Sequence, residues 1–382
     1  MSRFTHIHIE GFRRLFSVDL EMRDLTVMIG ANGVGKTSFL DVFSLLAASA
    51  KGQLLEKLAG SLESFLTRKQ KTDHLTLRLE MDVPGHAPLK YELRLVPVRG
   101  SSYEISLETL TQHNDRDAPQ PLRYIDSHRQ NIKYFNVQTR FLEPPNWEHN
   151  FFETSLSQVP KMYQQSETLR KQLASCTFYG ALDVSPRAPV RQPQDMRPAK
   201  LPGSNGEDLV SCLYDLRETD SDRFEMIEDT LAAAFPDFEK LSFPPVAAGK
   251  LSMTWKDKYF DKPVYVHELS EGTLRFLWLV TLLQSRELTA ITLIDEPEVS
   301  LHPELLRLLA DLMREASKRT QLIVATHSDR LIRFLKPTEV LISDVNDGLM
   351  TATWADKLDL EGWLAEYSLD EIWAMNLIGG RP

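Results

Sequence analysis

The chain has 382 residues, of which 42% are hydrophobic and 26% charged, a balance that provides for a large core and excludes a disordered or fibrous protein. Its formal net charge of −10 excludes a general DNA-coating role of the histone type, although a local basic groove stays compatible with it. The sequence lacks an apolar run of the roughly 18–20 residues that span a membrane, a signal-peptide pattern at its start, and enough cysteines for a disulfide framework. We therefore expect a soluble, cytoplasmic protein without a membrane partner.

The first 50 residues predict a strand, a turn, a second strand, a glycine-rich loop and a helix. Ile7 and Ile9 alternate with polar residues, and the same alternation in residues 25–29 stops at Gly30. From Lys36 the apolar residues take helical spacing, which predicts one broad buried face.

The middle of the chain predicts an antiparallel subdomain followed by a loop and helices. Residues 75–83 alternate strictly between apolar and polar side chains, and residues 91–95 and 103–107 repeat this pattern, as strands of a half-buried meander do. Five prolines between 186 and 202 predict a stretch with little regular structure. Helical patterns resume at Glu207–Arg217 and Arg223–Phe235.

The last third predicts alternating helices and buried strands. The helices are expected at residues 271–285 and 304–318, and the strands at 290–294 and 322–325. Continuous apolar strands joined by helices predict a parallel sheet that is covered on both faces. We expect an α/β fold with a parallel core sheet and an inserted antiparallel β and helical subdomain. The predicted segments are 1–50, 51–260 and 261–382.

A phosphate-binding loop is predicted between the second predicted core strand and its helix, because the sequence there fits G-x-x-x-x-G-K-[ST]. Glycines let several backbone N–H groups face one anion, and the following helix adds its positive end. Lys36 is expected to reach the β- and γ-phosphates of ATP, and Thr37 to ligate Mg²⁺. The alternative is a chance glycine-rich turn. The nucleotide-binding residues predicted here are Gly30, Asn32, Gly33, Gly35, Lys36, Thr37 and Ser38.

Two acids follow the buried strand at 290–294. A carboxylate at the tip of a parallel strand faces the crevice in which such sheets bind ligands. Asp295 is expected to hold Mg²⁺, and Glu296 to orient and deprotonate the attacking water. Taken alone, an acidic pair at this position is more often a helix cap or a solvated turn.

Two further polar positions complete the pattern. Ser270, in the run L-S-E-G, precedes a helix and is either an ordinary N-cap or a contact to a γ-phosphate, together with Gly272. His327 follows the last buried strand. The order of phosphate loop, L-S-x-G, acidic strand tip and histidine is much less probable by chance than any one of them.

This order resembles the ABC-type ATPase heads of the RecF and SMC group, over residues 1–50 and 260–335. The resemblance implies that Arg13 touches nucleotide phosphate, with a plain surface arginine as the alternative, and that His327 contacts the γ-phosphate. It implies that Ser270 binds ATP held by a second copy, in a head-to-head homodimer that forms with ATP and opens after hydrolysis. Residues 298–302 would then cross between the two sites.

Some features depart from the group or stay open. The glutamine that links Mg²⁺ to the moving subdomain of transporter ATPases could be Gln53, Gln70 or Gln138. The sequence lacks a long coiled-coil arm, and little of it follows His327, so an SMC tether and a fusion to a nuclease are not expected. The ending from Ser368 to Gly379-Gly380-Arg381-Pro382 resembles that of compact stand-alone ATPases of the group, or is simply a final helix and tail.

These features are compatible with three functions. The first is an ATPase that acts on DNA in repair, recombination or replication; the second is a regulatory ATPase that gates a separate nuclease or toxin, for example in phage defence. The third, a transporter subunit, is disfavoured by the antiparallel insertion. Two groups of residues are candidate nucleic-acid contacts. The first is the cations of the proline-rich loop, for which a solvated loop is the alternative: Arg187, Arg191, Arg197 and Lys200. The second is a group of aromatic residues, which at this density more often form a small core: Phe141, Trp147, Phe151 and Phe152.

Overall fold

The structure is a computed structural model that describes residues 2–58, 61–69, 72–98, 103–113 and 120–380. Gln70, Arg381 and Pro382 lie outside the described residues. The strands are β1 Arg3–Phe12, β2 Leu15–Glu21, β3 Leu25–Ile29, β4 Leu75–Asp82, β5 Leu89–Val96, β6 Glu104–Gln112, β7 Leu122–Ser127, β8 Tyr134–Phe135, β9 Leu142–Glu143, β10 Cys176–Tyr179, β11 Gln194–Asp195, β12 Phe238–Ser242, β13 Lys250–Leu251, β14 Thr254–Asp257, β15 Val264–Tyr265, β16 Ile291–Asp295, β17 Gln321–Ala325, β18 Val340–Asn346 and β19 Leu349–Trp354. The α-helices are α1 Lys36–Lys51, α2 Leu54–Lys57, α3 Ser155–Gln158, α4 Gln164–Ala174, α5 Leu209–Thr219, α6 Ser221–Ala234, α7 Glu271–Gln284, α8 Leu305–Ser317, α9 Asp329–Ile332, α10 Glu361–Leu364 and α11 Leu369–Ala374.

The core sheet is parallel over five of its six strands. Its order is β10-β16-β17-β3-β18-β19, and only the last pair, β18 and β19, is antiparallel. Because β16, β17 and β3 are neighbours that run in the same direction, their carboxyl ends meet at one edge of the sheet. That edge is where open α/β sheets bind ligands.

The antiparallel sheet has the order β2-β1-β4-β5-β6-β7-β8-β9. Its predicted meander strands are present as β4, β5 and β6, but the sheet is not built from the insertion alone. The N-terminal hairpin of β1 and β2 belongs to it, since β1 pairs with β4 from His6 opposite Glu80 to Glu10 opposite Thr76. Alternation of side chains predicts a strand but does not tell which sheet the strand joins.

Helix α1 lies between the two sheets. Its residues Phe39 and Phe43 share one hydrophobic cluster with Leu79 of β4 and with Leu293 and Ile323 of the core sheet. The opposite face of the core sheet packs against α5, α6, α7 and α8. Both faces of the parallel strands are thus covered, which explains why these strands read as continuous apolar runs.

The predicted helices and strands of the last third are confirmed, with ends that agree to about two residues. The three predicted segments do not coincide with the sheets, because β1 and β2 leave the first segment for the antiparallel sheet and β10 brings the second segment into the core sheet. The proline-rich stretch contains one helical turn and the two-residue strand β11. Within the described part of the chain, none of the helices combines the length and hydropathy that a membrane crossing requires.

Candidate active site

The candidate site forms where three neighbouring core strands end. The phosphate loop begins at Gly30 after β3, Asp295 is the last residue of β16, and His327 lies two residues beyond β17. The structure therefore brings together residues that are almost 300 positions apart, with Lys36 Nζ 3.2 Å from His327 Nδ1.

The backbone at Gly30 admits only glycine. Its φ is 148°, and a Cβ added there would lie 2.2 Å from the carbonyl oxygen of Ser343 in β18. The carbonyl of Gly30 accepts a hydrogen bond from Lys36 Nζ, and that of Ala31 accepts another at 3.1 Å. The ammonium group of Lys36, the first residue of α1, therefore holds the start of the loop through two of its carbonyl groups.

Burial weakens the positive charge of Lys36. Its side chain is almost fully buried, and this burial lowers its pKa to about 8, although Asp295 and Glu296 act in the opposite direction. Burial, and then the nearby Lys36, also lower the pKa of His327. A bound anion would relieve both effects, because it would supply the charge partner that the buried ammonium has only at a distance.

The predicted metal ligands face each other. Thr37 Oγ1 donates to Asp295 Oδ2 at 3.4 Å, so a hydroxyl and a carboxylate converge at the mouth of the phosphate loop. Burial raises the pKa of Asp295, and the adjacent Glu296 raises it further. A pair of hard oxygen ligands with a second carboxylate beside it fits a divalent cation such as Mg²⁺, although Lys36 already supplies one nearby positive charge.

Glu296 has an unusual backbone for a residue with a side chain. Its φ is 52°, and its N–H donates to Ala325 O in β17 at 2.8 Å. Its Oε1 lies 3.6 Å from His327 Nε2, and its side chain is about two-fifths exposed. Non-glycine residues with positive φ cost about 1–3 kcal/mol and cluster at functional sites, so this turn holds a carboxylate that solvent can reach beside the histidine.

Arg13 and Arg14 line the same cleft. Arg13 lies at the tight turn between β1 and β2 with a φ of 49° and donates to Asp41 Oδ2 at 2.5 Å. Its guanidinium lies within 5.4 Å of the centroids of both Phe12 and Phe65, whose rings stack on each other. Arg13 was predicted from the sequence, but the exposed Arg14 was not. The adjacent pair of arginines before the second strand was the signal that could have indicated Arg14 as well.

Two adjoining clefts open beside Arg13 and Arg14. The one at the phosphate loop measures about 260 Å³ and is lined by Arg13, Arg14, Gly33, Gly35, Lys36, Thr37, Ser38 and His327. The second measures about 520 Å³, shares the two arginines, and adds Leu66, Thr67, Arg68 and Leu349 among its lining residues. Asn32, also predicted here, is exposed in the loop.

Ser270 and Gly272 lie apart from this cleft. Ser270 caps α7 by accepting from Thr273 N at 3.2 Å, as its simpler interpretation predicted, and lines a separate aromatic cleft of about 330 Å³. A Cβ at Gly272 would lie 2.6 Å from Ser300 O, so the start of α7 packs tightly on the segment that follows Glu296.

Arg191 supports the backbone just before Ser270. Its guanidinium is buried and donates to the carbonyls of Val184 at 2.7 Å, His267 at 3.0 Å and Leu269 at 2.9 Å. This residue of the proline-rich loop therefore makes structural contacts and is not available to a phosphate backbone. Arg197 is paired with Asp208 and Lys200 with Asp215, yet both cations, like Arg187, stay exposed.

Glu298 was predicted only as the start of a crossing segment, and the structure gives it a specific position. Its Oε1 accepts from Thr326 Oγ1 at 2.6 Å and from the His327 N–H at 3.1 Å. Its Oε2 is buried and has no hydrogen-bond partner within the described residues. Burial raises the pKa of Glu298. A carboxylate thus fixes the backbone from which His327 projects.

The remaining candidates divide. Trp147 packs on Tyr134 with ring centroids 4.9 Å apart, whereas Phe141 is 72% exposed, so the aromatic group is partly core and partly surface. Of the candidate glutamines, Gln53 precedes α2 and Gln138 lies in the turn between β8 and β9.

The comparisons with known proteins show a family and a fold. The family model described as "AAA domain, putative AbiEii toxin, Type IV TA system" matches residues 25–333. Among solved structures, the chain is similar to an Smc head bound to the C-winged helix domain of ScpA, with 14% identity, a TM-score of 0.56, and coverage of 95% of this chain and 99% of that one. It is also similar to the Pyrococcus furiosus Smc head with an extended coiled coil bound to the C-terminal domain of ScpA, with 12% identity, a TM-score of 0.55, and coverage of 96% and 99%. No curated protein sequence is significantly similar to the chain. The predicted fold, an α/β ATPase head of the SMC type, is confirmed.

Proposed function

The chain belongs to this AAA-domain family of P-loop ATPases. From that premise we propose that it binds ATP together with Mg²⁺ in the cleft that Lys36 lines, and that it hydrolyses the terminal phosphate bond of the ATP. The observation that carries the proposal is the convergence, at one edge of the core sheet, of a phosphate loop, a hydroxyl–carboxylate pair, a strained glutamate and a histidine.

Different residues of the site have different roles in the proposed hydrolysis of ATP. The loop after Gly30 and the N-terminus of α1 favour an anion, and Lys36 exchanges its carbonyl partners for phosphate oxygens. Glu296 orients the attacking water and accepts its proton, while His327 contacts the γ-phosphate. Thr37 and Asp295 would hold Mg²⁺, which when bound neutralises charge on the phosphate oxygens.

We propose further that two copies close head-to-head on ATP. The support is that Ser270 lies in a cleft that shares none of its lining residues with the Lys36 cleft, so one chain provides only half of the predicted set. A symmetric dimer supplies the other half twice, because an isologous interface places each residue opposite its complement in the partner.

The test uses Glu296→Gln, which removes the base but preserves size and contacts. We expect turnover to be lost, ATP binding to be kept, and an ATP-dependent dimer to accumulate in sizing chromatography. Only monomer with ATP would refute the dimer; normal turnover would refute the role of Glu296.

A mixing experiment tests whether the site is shared. Lys36→Met and Ser270→Arg should each be inactive, yet a one-to-one mixture should regain about a quarter of the wild-type rate, since half of the dimers would hold one intact site. If the mixture stays inactive although mixed dimers form, Ser270 does not serve the site of the partner.

DNA is the proposed partner of the closed dimer, in a repair, recombination or replication reaction. The support is the order of motifs shared with the RecF and SMC group; since the formal net charge is −10, any DNA contact has to be local. We expect duplex or gapped DNA to raise the ATPase rate, with binding that weakens steeply as salt rises. An unchanged rate with every DNA form would refute it.

The second candidate is a regulatory ATPase that gates a nuclease or toxin. Two observations favour it: the toxin-system wording of the family description, and the exposed apolar residues Trp363, Tyr367 and Leu377 around α10 and α11. Co-purification of a neighbouring gene product, lost with Trp363→Ser and Leu377→Ser, would support this candidate. Activity on DNA by the purified chain alone would count against it.

A further inference from the structure

The segment Leu369–Gly380, hereafter the tail segment, folds back onto the phosphate loop. It consists of α11 and a turn that Trp373 closes, because the fully buried indole donates from Nε1 to Gly380 O at 2.8 Å. The N–H of Gly380 donates to Asp344 Oδ2 of β18 at 3.1 Å. The turn is therefore held both by its own helix and by the core sheet.

Gly380 is in contact with the first glycine of the phosphate loop. A Cβ added to Gly380 would lie 3.0 Å from Ile342 Cγ2, 3.2 Å from Ser343 O and 3.6 Å from the Cα of Gly30. Gly380 also has a φ of 64°, which disfavours any side chain. A methyl group at Gly380 would thus be tight against Ile342 and Ser343 of β18, and Ser343 O in turn packs against Gly30, where a Cβ would lie only 2.2 Å from it.

This contact leads directly to the site. The carbonyl of Gly30 accepts from Lys36 Nζ, and Lys36 lies 3.2 Å from His327. Helix α11 also packs against α9, which begins just after His327 and Ser328. The tail segment therefore touches both elements that flank the proposed γ-phosphate position.

We propose that the tail segment is a positioning element of the nucleotide site, which fixes Gly30 from behind and so sets the start of the loop whose backbone and Lys36 receive the phosphates. The proposal rests on the proposed ATP site. It gives a role to the Gly379-Gly380 ending, whose function the sequence left open.

The main test is Gly380→Ala. The added methyl group would press on Ile342 Cγ2 and Ser343 O, so β18 has to give way where Ser343 O packs against Gly30. We therefore expect about tenfold weaker ATP binding and a KM that rises more than kcat falls, from the usual cost of overpacking. The matched control is Gly85→Ala, because Gly85 has a similar φ of 78° but nothing within 4 Å of the added Cβ. Both variants carry the backbone strain, and only one presses on the loop.

A second pair of variants covers the case in which Gly380→Ala fails to fold. Trp373→Phe removes the hydrogen bond that closes the turn. Trp278→Phe removes an equivalent indole bond to Gly203 O at 2.9 Å, in the same hydrophobic cluster but on α7 and outside the tail segment. With thermal stability recorded for both, we expect Trp373→Phe alone to weaken ATP binding, by about threefold to tenfold.

The readout is equilibrium binding of a fluorescent ATP analogue to the full chain, together with KM and kcat. If wild type binds ATP and Gly380→Ala binds as tightly as Gly85→Ala, or Trp373→Phe as tightly as Trp278→Phe, the tail segment does not position the loop. If wild type does not bind ATP, the proposed function itself is wrong, and the two failures are thereby distinguished.

Discussion

Removal of the Glu298 side chain is expected to detach His327 from its support. Glu298→Ala deletes two hydrogen bonds from a carboxylate, which stabilise by about 1.5–3 kcal/mol each. The carboxylate is mostly buried and its pKa is raised, so its removal also removes a desolvation penalty, which offsets part of the stabilisation lost with the two hydrogen bonds. We expect a net loss of about 2–4 kcal/mol of unfolding free energy.

Glu298→Gln separates the charge from the hydrogen bonds. An amide oxygen can accept from Thr326 and from the His327 N–H, and its NH₂ group replaces the Oε2 that lacks a partner within the described residues. We expect the free energy of unfolding to change by less than about 1 kcal/mol. Glu304→Ala is the control, because that side chain is 88% exposed.

The assay is steady-state ATPase kinetics together with chemical unfolding. With Lys36 and Thr37 untouched, ATP binding should persist, whereas displacement of His327 should lower kcat of Glu298→Ala by about 10–100-fold and leave KM within a few-fold. Glu298→Gln should retain most of the rate. A Glu298→Ala protein with the kcat and stability of Glu304→Ala would refute the assignment.

Three further perturbations follow from the contacts above. Arg191→Met should keep ATP binding by the single chain but abolish the ATP-dependent dimer in sizing chromatography, with Arg197→Met from the same loop as control; an unchanged dimer would contradict this. Thr37→Val should leave Mg²⁺-free ATP binding intact and weaken the Mg²⁺ complex about tenfold, with rescue in Thr37→Ser, and equal Mg²⁺ dependence would exclude the ligand role. Burial raises the pKa of the Cys176 and Cys212 thiols to about 12, above the unfolded value, so at pH 8 the native chain should react with a thiol reagent about 1,000-fold more slowly than the unfolded chain. Its rate should keep rising with pH beyond pH 9, where the unfolded chain levels off; equal rates at pH 8 would contradict the burial.

The residues found from sequence are those whose signal is local. The phosphate loop has fixed spacing around Lys36, and Asp295 and His327 each lie at the carboxyl end of a mostly apolar strand, so a parallel sheet necessarily brings them together. These positions needed only the chain direction and the strand pattern.

The residues that were missed act through contacts distant in sequence. In the sequence, Glu298 looks like any other acidic residue after a strand. Its role depends on Thr326 and His327, which lie close to it only in the folded chain and donate hydrogen bonds to its carboxylate. Arg191 looked like a surface cation because nothing local shows that the backbone of His267 and Leu269 would surround it. The strand β1 was assigned the right conformation, but pairing partners are decided by packing of whole layers.

The position of α1 between the two sheets has a mechanical consequence. Its first residue, Lys36, is in the proposed nucleotide site, while Phe39 and Phe43, one and two turns further along, are packed among strands of both sheets. Interiors this dense transmit a displacement rather than absorb it. A shift of the helix on nucleotide binding should therefore slow amide exchange in β4 and β5, far from any phosphate, and cavity substitutions such as Leu79→Ala should alter the apparent ATP affinity from a distance.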